Sequence, residues 1–546
     1  MGESSPGRGR EWALRSVADE LSVRYRAEGW WDDAPLGSMV VDGLERMSAV
    51  SFDVHSRVRP WSGTFGELAR AARALAGALR ARGVGPGDVV VFQLPNWVEA
   101  GITFWAAAYL GAVVVPIVHF YGPKEVGYIL RTIRPDVLVT ADRFGQTDHL
   151  SSFEALLAEQ PVPTWLVVGD TPANGLPEAA IAFGSMLDGS PLAGAMPIEP
   201  DEAAVIGFTS GTTQDPKGVI HSHRTIAFET RQLDLLFPKG GPPQITGAPV
   251  GHFIGMLNAF LVPMLRNRPV NLIDVWDPGE VLRLMDEHGL GVTGGATYFM
   301  TSLLDHPDFR PEHLEMMPFA GLGGSPVPVA VMERLTALGI DAFRSYGSTE
   351  HPSITGCFLT DPQGKRLTTD GRPLPGVEVR LDEQGQILSR GPDCFVGYTD
   401  PDLTATVFDD DGWYHTGDIG VIDDEGYLTI TDRISDVIIR GGENISAQEV
   451  EELLMGLDGI AEVCVVGAPD ARLGERPAAV VRLRDGSDSP TLRTVREHLA
   501  AVGLAKQKWP ESIHVVDEFP RTPSGKVQKF RLRQQLRDGA GATSWK

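Results

Sequence analysis

Residues 208–225 read FTSGTTQDPKGVIHSHRT, and this stretch continues an apolar run, AVIGFTSG, that predicts a buried β-strand. Its first eleven residues hold four hydroxyl side chains, two glycines and one lysine. Hydroxyls and backbone N–H groups on a turn suit phosphate oxygens, and a lysine adds a point charge. The stretch therefore predicts a phosphate-binding loop, although Pro216 before the lysine excludes a Walker A sequence. Its candidate phosphate-binding residues are Thr209, Ser210, Gly211, Thr212, Thr213 and Lys217.

Upstream of this loop, apolar runs alternate with helical patterns. TFGELARAARALAGALRARG predicts an amphipathic helix that ends at Gly83, whereas VVVFQ, PDVLVTAD and TWLVVGD predict buried strands. The most apolar stretch, ITFWAAAYLGAVVVPIV, predicts a buried helix followed by a buried strand rather than a membrane span, because Gly111 and Pro116 interrupt it. This alternation predicts an α/β fold whose mostly parallel sheets are covered by helices.

The pattern changes near Thr368. Short alternating strands with Asp/Gly turns, as in DDGWYHTGDIGVIDDEGYLTITDR, predict antiparallel hairpins. A compact α+β pattern follows, from ISDVIIRGG to SIHVVDEFP. We therefore predict an N-terminal domain over residues 1–433, which includes a β-rich subdomain over about 368–433, and a small C-terminal domain over 434–546.

Composition limits the classes of function. The chain has 546 residues and a net charge of −24, which argues against nucleic-acid partners and anionic membranes because both require a basic face. Three widely spaced cysteines form no CxxC pair, so neither a zinc ribbon nor a redox motif is indicated. The N-terminal stretch lacks a continuous apolar segment, so we predict no signal peptide and a cytoplasmic protein without transmembrane segments.

Four further stretches carry side chains suited to nucleotide chemistry. Within SYGSTE, Tyr346 could stack on a base, Thr349 could hold a phosphate and Glu350 could hold Mg²⁺. Asp418 in YHTGDIG could accept from both ribose hydroxyls. TDRISDVIIRGGENISAQEVE holds Arg433 at the predicted domain boundary, and Lys526 follows a glycine in RTPSGK. Taken singly, each has an ordinary explanation, such as a helix N-cap, a turn aspartate or a solvated lysine.

Together and in this order, the stretches resemble the adenylate-forming superfamily, which includes acyl-CoA synthetases, peptide-synthetase adenylation domains and luciferases. The resemblance extends from about Thr64 to Leu536, and within the superfamily it favours the branch of fatty-acid and cyclohexanecarboxylate-type CoA ligases. The motifs that carry the resemblance are TSGTTQDPKG, YGSTE, TGD, DRISDVIIRGGENI and RTPSGK. Two positions depart from the family pattern. Gln214 in the phosphate loop stands where the family usually has a small residue, and Ser435 stands at the hinge, where the family usually has lysine or aspartate.

The resemblance implies a reaction in two steps. A carboxylic acid and MgATP form an acyl adenylate and pyrophosphate, and the thiol of coenzyme A then displaces AMP. It implies that the phosphate loop holds the β- and γ-phosphates, Thr349 the α-phosphate, Glu350 the metal, and Asp418 and Arg433 the ribose. Lys526 would bridge the carboxylate and the α-phosphate. The adenine site would be formed by Gly323, Gly324, Ser325, Ser345, Tyr346 and Gly347.

The resemblance also implies an acyl site, a hinge and a coenzyme A site. His252 occupies the position that gates the acyl pocket in relatives and is counted among the catalytic candidates, and Phe253, Met256 and Gly324 are further substrate-binding candidates. The C-terminal domain would rotate about Ser435. This rotation would withdraw Lys526 and bring the glycine pair, Gly441 and Gly442, to the site, where glycines let a pantetheine arm pass close to the backbone.

The resemblance places APVGHFIGMLNAF at the acyl pocket, where relatives that activate amino acids usually carry an aspartate to pair with the ammonium group, and this stretch has none. The resemblance therefore favours an apolar, uncharged acid of medium-chain, alicyclic or aryl type. Two alternatives stay open. The acyl group could pass to a carrier-protein phosphopantetheine in trans or to an amine, or the chain could be a non-catalytic adenylate-binding sensor. The resemblance is also compatible with a homodimer.

Overall fold

The computed structural model describes residues 12–209, 216–441, 443–470, 472–521 and 526–538. Within these residues the α-helices are α1 (Asp19–Ala27), α2 (Leu36–Arg46), α3 (Phe65–Ala81), α4 (Val98–Leu110), α5 (Pro123–Ile133), α6 (His149–Glu159), α7 (His223–Leu236), α8 (Phe253–Phe260), α9 (Val262–Arg266), α10 (Pro278–His288), α11 (Thr297–Leu304), α12 (Val329–Ala337), α13 (Gln363–Thr368), α14 (Pro401–Val407), α15 (Ala447–Leu454), α16 (Leu492–Ala501) and α17 (Lys529–Asp538).

The strands up to the phosphate loop and the one that follows it are β1 (Ser51–His55), β2 (Trp61–Thr64), β3 (Val89–Gln93), β4 (Val113–Ile117), β5 (Val137–Ala141), β6 (Arg143–Phe144), β7 (Thr147–Asp148), β8 (Thr164–Val168), β9 (Ala180–Ala182), β10 (Ala203–Thr209) and β11 (Lys217–Ser222). The later strands of the N-terminal part are β12 (Ile245–Thr246), β13 (Val270–Ile273), β14 (Gly294–Gly295), β15 (Phe319–Leu322), β16 (Asp341–Tyr346), β17 (Thr355–Gly356), β18 (Arg372–Pro373), β19 (Glu378–Leu381), β20 (Gln386–Arg390), β21 (Gly397–Tyr398), β22 (Tyr414–Ile422) and β23 (Leu428–Arg433). The strands after residue 433 are β24 (Ile438–Arg440), β25 (Glu443–Ile445), β26 (Ile460–Asp470), β27 (Gly474–Leu483) and β28 (Ser512–Val515).

The main sheet has eight strands in the order β21-β11-β10-β4-β3-β5-β8-β9. The pairs from β10 to β9 are parallel, and β11 and β21 are antiparallel additions at one edge. Alternate residues of β3 enter opposite cores. Val90 and Phe92 pack on the side of α2, α3 and α4, while Val89 and Val91 pack on the side of α5 and α6. Helices therefore cover both faces, as βα alternation requires.

The most apolar stretch of the sequence forms the buried helix α4 and the buried strand β4, as predicted. Gly111 ends the helix at a φ of 64°, in the left-handed region that glycine enters at low cost. In the part of the chain that the structure describes, no helix is long and apolar enough to cross a bilayer.

Two smaller sheets complete the N-terminal α/β region. One has the order β12-β13-β1-β2, and the other has the order β14-β15-β16-β17-β18 with its first three strands parallel. The predicted hairpins are the antiparallel sheet β19-β20-β22-β23. After residue 433, a sheet of β25-β24-β27-β26 with β28 beside β27 packs α15 and α16 on one face and α17 on the other. The predicted fold class is confirmed, and we propose the change of sheet after Arg433 as the domain boundary.

Asn96 fixes the segment that precedes α8. It follows β3, is buried, and its Nδ2 donates to the carbonyls of Ala248 at 3.0 Å and Ile273 at 2.9 Å. Its Oδ1 accepts from the N–H of Val250 at 2.8 Å. One side chain thus satisfies three backbone groups, two in the segment that precedes α8 and one at the end of β13.

Asn96→Ala should lower the free energy of unfolding of the N-terminal part by roughly 2–4 kcal/mol, because three backbone groups lose their partner inside the protein. The measurement is urea unfolding followed by circular dichroism, with the exposed Asn174→Ala as the matched control. Equal unfolding midpoints for the two variants would contradict this role.

Candidate active site

A cleft of about 2560 Å³ lies between the carboxyl ends of the N-terminal strands and the part of the chain after residue 433. Thr209, Gly323 and Ser345, at or just beyond the ends of β10, β15 and β16, line it on one side. Lys526 and residues of α17 line it on the other. This position, outside the carboxyl ends of parallel strands, is where α/β sheets commonly bind ligands.

Asp418, Arg433 and Tyr346 meet at one end of the cleft. Strands β22 and β23 pair so that Asp418 stands opposite Arg433, and the Nε of Arg433 lies 3.1 Å from Oδ1 of Asp418. The hydroxyl of Tyr346 donates to Oδ2 of Asp418 at 2.6 Å. Burial and then the charge of Asp418 raise the pKa of Tyr346 well above its usual range, and Asp418 raises the pKa of Arg433. The three predicted nucleotide-site residues are therefore one hydrogen-bonded group.

Glu350, Tyr398 and Lys217 form a second group. The hydroxyl of Tyr398 donates to Oε1 of Glu350 at 2.9 Å, and the Nζ of Lys217 lies 5.8 Å from the centre of the Tyr398 ring. Thr209 pairs directly with Lys217 across β10 and β11. Ser210, Gly211, Thr212, Thr213 and Gln214 lie outside the described residues. Sequence reasoning missed Tyr398, because it lies on a two-residue strand far from any of the motifs.

Glycine is required at two of the predicted backbone positions. A Cβ at Gly323 would lie 2.6 Å from the carbonyl oxygen of Ser345, and one at Gly347 would lie 1.8 Å from that of Pro352. Gly324 has a φ of 75°, in the left-handed region. All three line the cleft together with Ser325 and Ser345. The predicted adenine-site residues are thus brought together along the ends of β15 and β16.

The turn that carries Thr349 and Glu350 is held from below by a buried histidine. The Nε2–H of His221 donates to the carbonyl of Thr349 at 2.7 Å, and its Nδ1 lies 3.2 Å from the hydroxyl oxygen of Thr225. Burial lowers the pKa of His221 to about 4, so the ring is neutral at physiological pH. Because a carbonyl can only accept, it fixes the ring proton on Nε2. The histidines of the opening stretch were a visible signal for this contact.

A second buried group holds the other end of the same turn. The Nδ1 of His351 lies 2.8 Å from the hydroxyl of Ser389, and its Nε2 lies 3.3 Å from Oδ1 of Asp393. Ser353 donates to Glu229 at 2.9 Å through its hydroxyl and to Asp393 at 3.3 Å through its N–H. All five of these side chains are almost completely inaccessible to solvent.

The charges in this buried group follow from its contacts. Burial favours the neutral form of His351, but the charge of Asp393, its hydrogen bond and the neighbouring Cys394 together outweigh burial and raise the pKa of His351 to about 10. Burial, followed by the charge of Asp393, raises the pKa of Glu229 well above its usual range. The group therefore combines an imidazolium, a carboxylate and a neutral carboxyl, which limits the net charge that must be buried.

Lys526 faces the cleft, and four charged residues of the site act on it. Desolvation by the cleft walls and then the positive charge of Arg433 lower its pKa, while Asp418, Asp436 and Glu350 act in the opposite direction. Its charge also lowers the pKa of His252. Lys526 thus lines the same cleft as the group that contains Asp418 and the predicted acyl site.

The predicted acyl residues divide into two sets. His252 and Phe253 line the cleft at the start of α8, together with Ile254, Trp276 and Phe299, whereas Met256 is fully buried in the core and does not line it. Desolvation and then the charge of Lys526 lower the pKa of His252 to about 4. Its Nδ1 is buried without a hydrogen-bond partner among the described residues. A polar group of a ligand could satisfy this atom.

Ser435 lies in a tight turn, because the N–H groups of Asp436 and Val437 both donate to the carbonyl of Arg433. The carbonyl of Ser435 accepts from the guanidinium of Arg533 at 3.3 Å. Gly441 has a φ of 60° and bonds to the carbonyl of Leu473, and it does not line the cleft. Gly442 lies outside the described residues. The structure therefore brings Lys526 to the cleft and leaves Gly441 away from it.

Comparison with known proteins agrees with this geometry. Residues 50–399 match the family model of the AMP-binding enzymes, and residues 449–526 match that of the AMP-binding enzyme C-terminal domain. The chain belongs to the AMP-binding enzyme family, which confirms the resemblance drawn from the motifs, and its relatives are AMP-forming acid–thiol ligases.

Two curated relatives are similar over most of their length. The medium-chain fatty-acid–CoA ligase of Escherichia coli strain K12 is 34% identical over 535 residues, which covers 95% of this chain and 93% of the relative. The 3-[(3aS,4S,7aS)-7a-methyl-1,5-dioxo-octahydro-1H-inden-4-yl]propanoyl:CoA ligase of Rhodococcus jostii strain RHA1 is 36% identical over 497 residues, which covers 86% of this chain and 93% of the relative. The crystal structure of ATP-bound MatB from Rhodopseudomonas palustris matches with a TM-score of 0.81 and 27% identity, covering 92% of this chain and 99% of that one.

Asp393→Asn should destabilise the protein in a pH-dependent way, because it removes the carboxylate that keeps His351 charged. The pKa of His351 is about 10 in the folded protein and about 6.5 when unfolded, so its contribution is complete below about pH 6.5 and is lost as the pH rises through about 10. We expect a loss of about 3–5 kcal/mol at low pH that diminishes towards pH 10.

The measurement is the free energy of unfolding of wild type and variant at several pH values between 6 and 10. Asp305→Asn, which removes an exposed partner of Arg334, is the control and should show no comparable trend. A difference between wild type and Asp393→Asn that stays constant over this pH range would contradict the assignment of charge to His351.

Proposed function

We propose that this protein is an ATP-dependent ligase that joins an apolar carboxylic acid to coenzyme A. The observation that carries the proposal is that Lys526 lines the same cleft as Asp418, Glu350 and His252. The charge of Lys526 also lowers the pKa of His252, while Asp418 and Glu350 act on the pKa of Lys526. One cation would thus be close to both a nucleotide phosphate and a substrate carboxylate.

In the first step, a carboxylate oxygen would attack the α-phosphorus of ATP, and the bond to the β-phosphate would break to release pyrophosphate. Both reactants are anions, so their approach is opposed by charge repulsion. A preorganised lysine in the cleft reduces this cost and stabilises the charge that develops as they react. In the second step, the thiolate of coenzyme A would attack the acyl carbonyl and displace AMP.

The nucleotide would lie along the ends of β15 and β16. In this proposal Asp418 accepts hydrogen bonds from the ribose hydroxyls, and Arg433 keeps the carboxylate oriented through their ion pair. The phosphates would be bound by Thr209, Lys217, Thr349 and the remainder of the opening loop. Two glycines without room for a Cβ allow the backbone to approach the base closely.

Mg²⁺ would be bound mainly by ligands from outside the protein. In the described part of the chain, no group of three or more His, Cys, Asp or Glu side chains is placed to hold a metal ion. Glu350 offers one carboxylate, which Tyr398 orients by a hydrogen bond. A site with one carboxylate fits Mg²⁺, because this ion usually keeps phosphate oxygens and water as its other ligands.

The acyl site favours an acid without a second charge. Its walls include Phe253, Ile254, Trp276 and Phe299, and the polar His252 has a neutral ring because its pKa is lowered to about 4. The two curated relatives act on a medium-chain fatty acid and on an alicyclic propanoic acid, as their names state. We therefore propose a medium-chain, alicyclic or aryl acid as the substrate.

The direct test is to incubate the full-length protein with MgATP and pooled medium-chain, alicyclic, aryl and amino acids, with and without coenzyme A. We expect mass spectrometry to detect an acyl-CoA from an apolar acid, together with pyrophosphate and AMP. Acyl adenylate that accumulates and does not react with coenzyme A would refute the acceptor and favour a carrier protein or an amine. The absence of any adenylate would refute the proposed function.

Lys526→Ala should lower the rate of acyl-adenylate formation by roughly 10²–10³-fold, as expected when one preorganised stabilising group is removed. The folded state should survive, because Lys526 lines the cleft rather than the core. Pyrophosphate release measures the rate, thermal unfolding verifies the fold, and the exposed Lys506→Ala of the same domain is the matched control. Release at the wild-type rate by folded Lys526→Ala would exclude the role.

A further inference from the structure

Tyr298 forms a contact across the cleft that none of the sequence motifs includes. It lies near the start of α11 in the N-terminal part, and 37% of the residue remains exposed. The guanidinium carbon of Arg521, in the C-terminal part, lies 5.6 Å from the centre of its ring. This distance is within the range of an attractive cation–π interaction.

Arg521 lies at the base of the segment that carries Lys526. Arg521 and Val527 form an antiparallel bridge, and the N–H of Gln528 donates to the carbonyl of Pro520 at 2.7 Å. The residues on either side of the segment 522–526 are therefore tied together. A displacement of Arg521 relative to the N-terminal part would consequently displace Lys526 as well.

The guanidinium of Arg521 is itself held firmly. It forms an ion pair with Glu462 of β26, and it also lies 5.8 Å from the centre of the ring of Phe519. Glu462 lies on β26, which pairs with β27 along most of its length in the C-terminal sheet, and it also forms an ion pair with Arg482. A shift of the C-terminal sheet relative to the N-terminal part would therefore move Arg521 relative to the ring of Tyr298.

On the other side of the contact, Tyr298 continues a row of aromatic rings. Its ring centre lies 6.1 Å from that of Phe299, which lies 4.6 Å from that of Trp276 in an edge-to-face arrangement. The indole N–H of Trp276 donates to Ser302 at 3.0 Å. Phe299 and Trp276 line the cleft at the predicted acyl site, so the row connects the acyl wall with Arg521.

We propose that Tyr298 is a positioning residue for the adenylation step, because its ring holds Arg521 and thereby keeps Lys526 facing the cleft. This inference rests on the proposed function, since it assigns Lys526 to acyl-adenylate formation. It predicts different effects on adenylation and on thioester formation. Loss of the ring should slow adenylation and leave thioester formation from a preformed acyl adenylate unchanged, because that step does not need Lys526 in the cleft.

The experiment measures the two steps separately in wild type, Tyr298→Ala and Tyr298→Phe. Adenylation is followed by pyrophosphate release with saturating acid, and the second step by the reaction of synthetic acyl adenylate with coenzyme A. We expect Tyr298→Ala to lower kcat for adenylation on the order of 3- to 30-fold, the range of one cation–π contact. Tyr298→Phe should restore most of the rate, because phenylalanine keeps the ring.

A double-mutant cycle identifies the partner. Arg521→Gln should slow adenylation, and adding Tyr298→Ala to it should cause little further loss, because the contact has already been removed. Tyr128→Ala is the matched control. Tyr128 is a half-buried tyrosine of α5 and does not line the cleft. This control should not slow adenylation selectively.

Limited digestion with trypsin provides a readout that does not depend on activity. Cleavage after Arg521 or Lys526 should be faster in Tyr298→Ala than in wild type and should return to the wild-type rate in Tyr298→Phe. Equal slowing of both half-reactions, or unchanged adenylation and unchanged cleavage in Tyr298→Ala, would overturn the inference. If wild type forms no acyl adenylate, the proposed function fails, while the digestion still reports whether Tyr298 holds this segment.

Discussion

The ion pair between Asp418 and Arg433 joins three parts of the molecule whose relative position defines the cleft. It closes the β22–β23 hairpin at the last residue of β23, and Tyr346 ties the same carboxylate to the end of β16 in a different sheet. The carbonyl of Arg433 then accepts from the N–H groups of Asp436 and Val437, which sets the direction of the chain as it enters the C-terminal sheet. The position of Lys526 depends on this direction.

Charge is distributed in the cleft so that a cation remains close to both prospective reactants. Arg433 is neutralised in part by Asp418, whereas Lys526 experiences desolvation and the repulsion of Arg433. An anion that enters the cleft would offset this repulsion. The protein thus places positive charge in the cleft that the predicted nucleotide and acyl sites share.

Below the cleft, buried polar groups fix the conformation of the turn that carries Thr349 and Glu350. His221 and His351 hold the two ends of one turn, and their opposite charge states follow from their surroundings. His221 has a backbone carbonyl and a hydroxyl as partners, whereas His351 has the carboxylate of Asp393. A hydrogen-bonded polar network of this kind favours a single arrangement of the turn, since another arrangement would break these buried hydrogen bonds. It fixes Thr349 and Glu350 from beneath the cleft.

Much of the fold could be predicted because its signals are local. The apolar runs of β3, β4 and β5 are buried on both faces, α4 ends at a glycine, and the hairpins are separated by Asp/Gly turns. The candidate site was predicted in part for a different reason. Glycines and hydroxyls in a fixed order are rarely needed for folding alone, and two of the glycines prove to have no room for a Cβ.

What remained unpredicted depends on residues that are distant in sequence. Met256 lies close in sequence to His252 and Phe253, which line the cleft. It faces the core instead, because the orientation of α8 turns it away from the cleft. Tyr398, Asp393 and Tyr298 carry no local signal, and they acquire a role only when β-strands and helices from separate segments pack together.

The sequence by itself determined the alternation of strands and helices, the order of the motifs and the chemistry that they offer, because periodicity, turn residues and side-chain type are properties of short segments. The tertiary structure alone decided which of these groups meet, which titrate abnormally and which way the C-terminal sheet faces. Contacts and desolvation depend on distances in space, and Asp418 and Lys526 interact across 108 residues of chain only because the fold brings them to the same cleft.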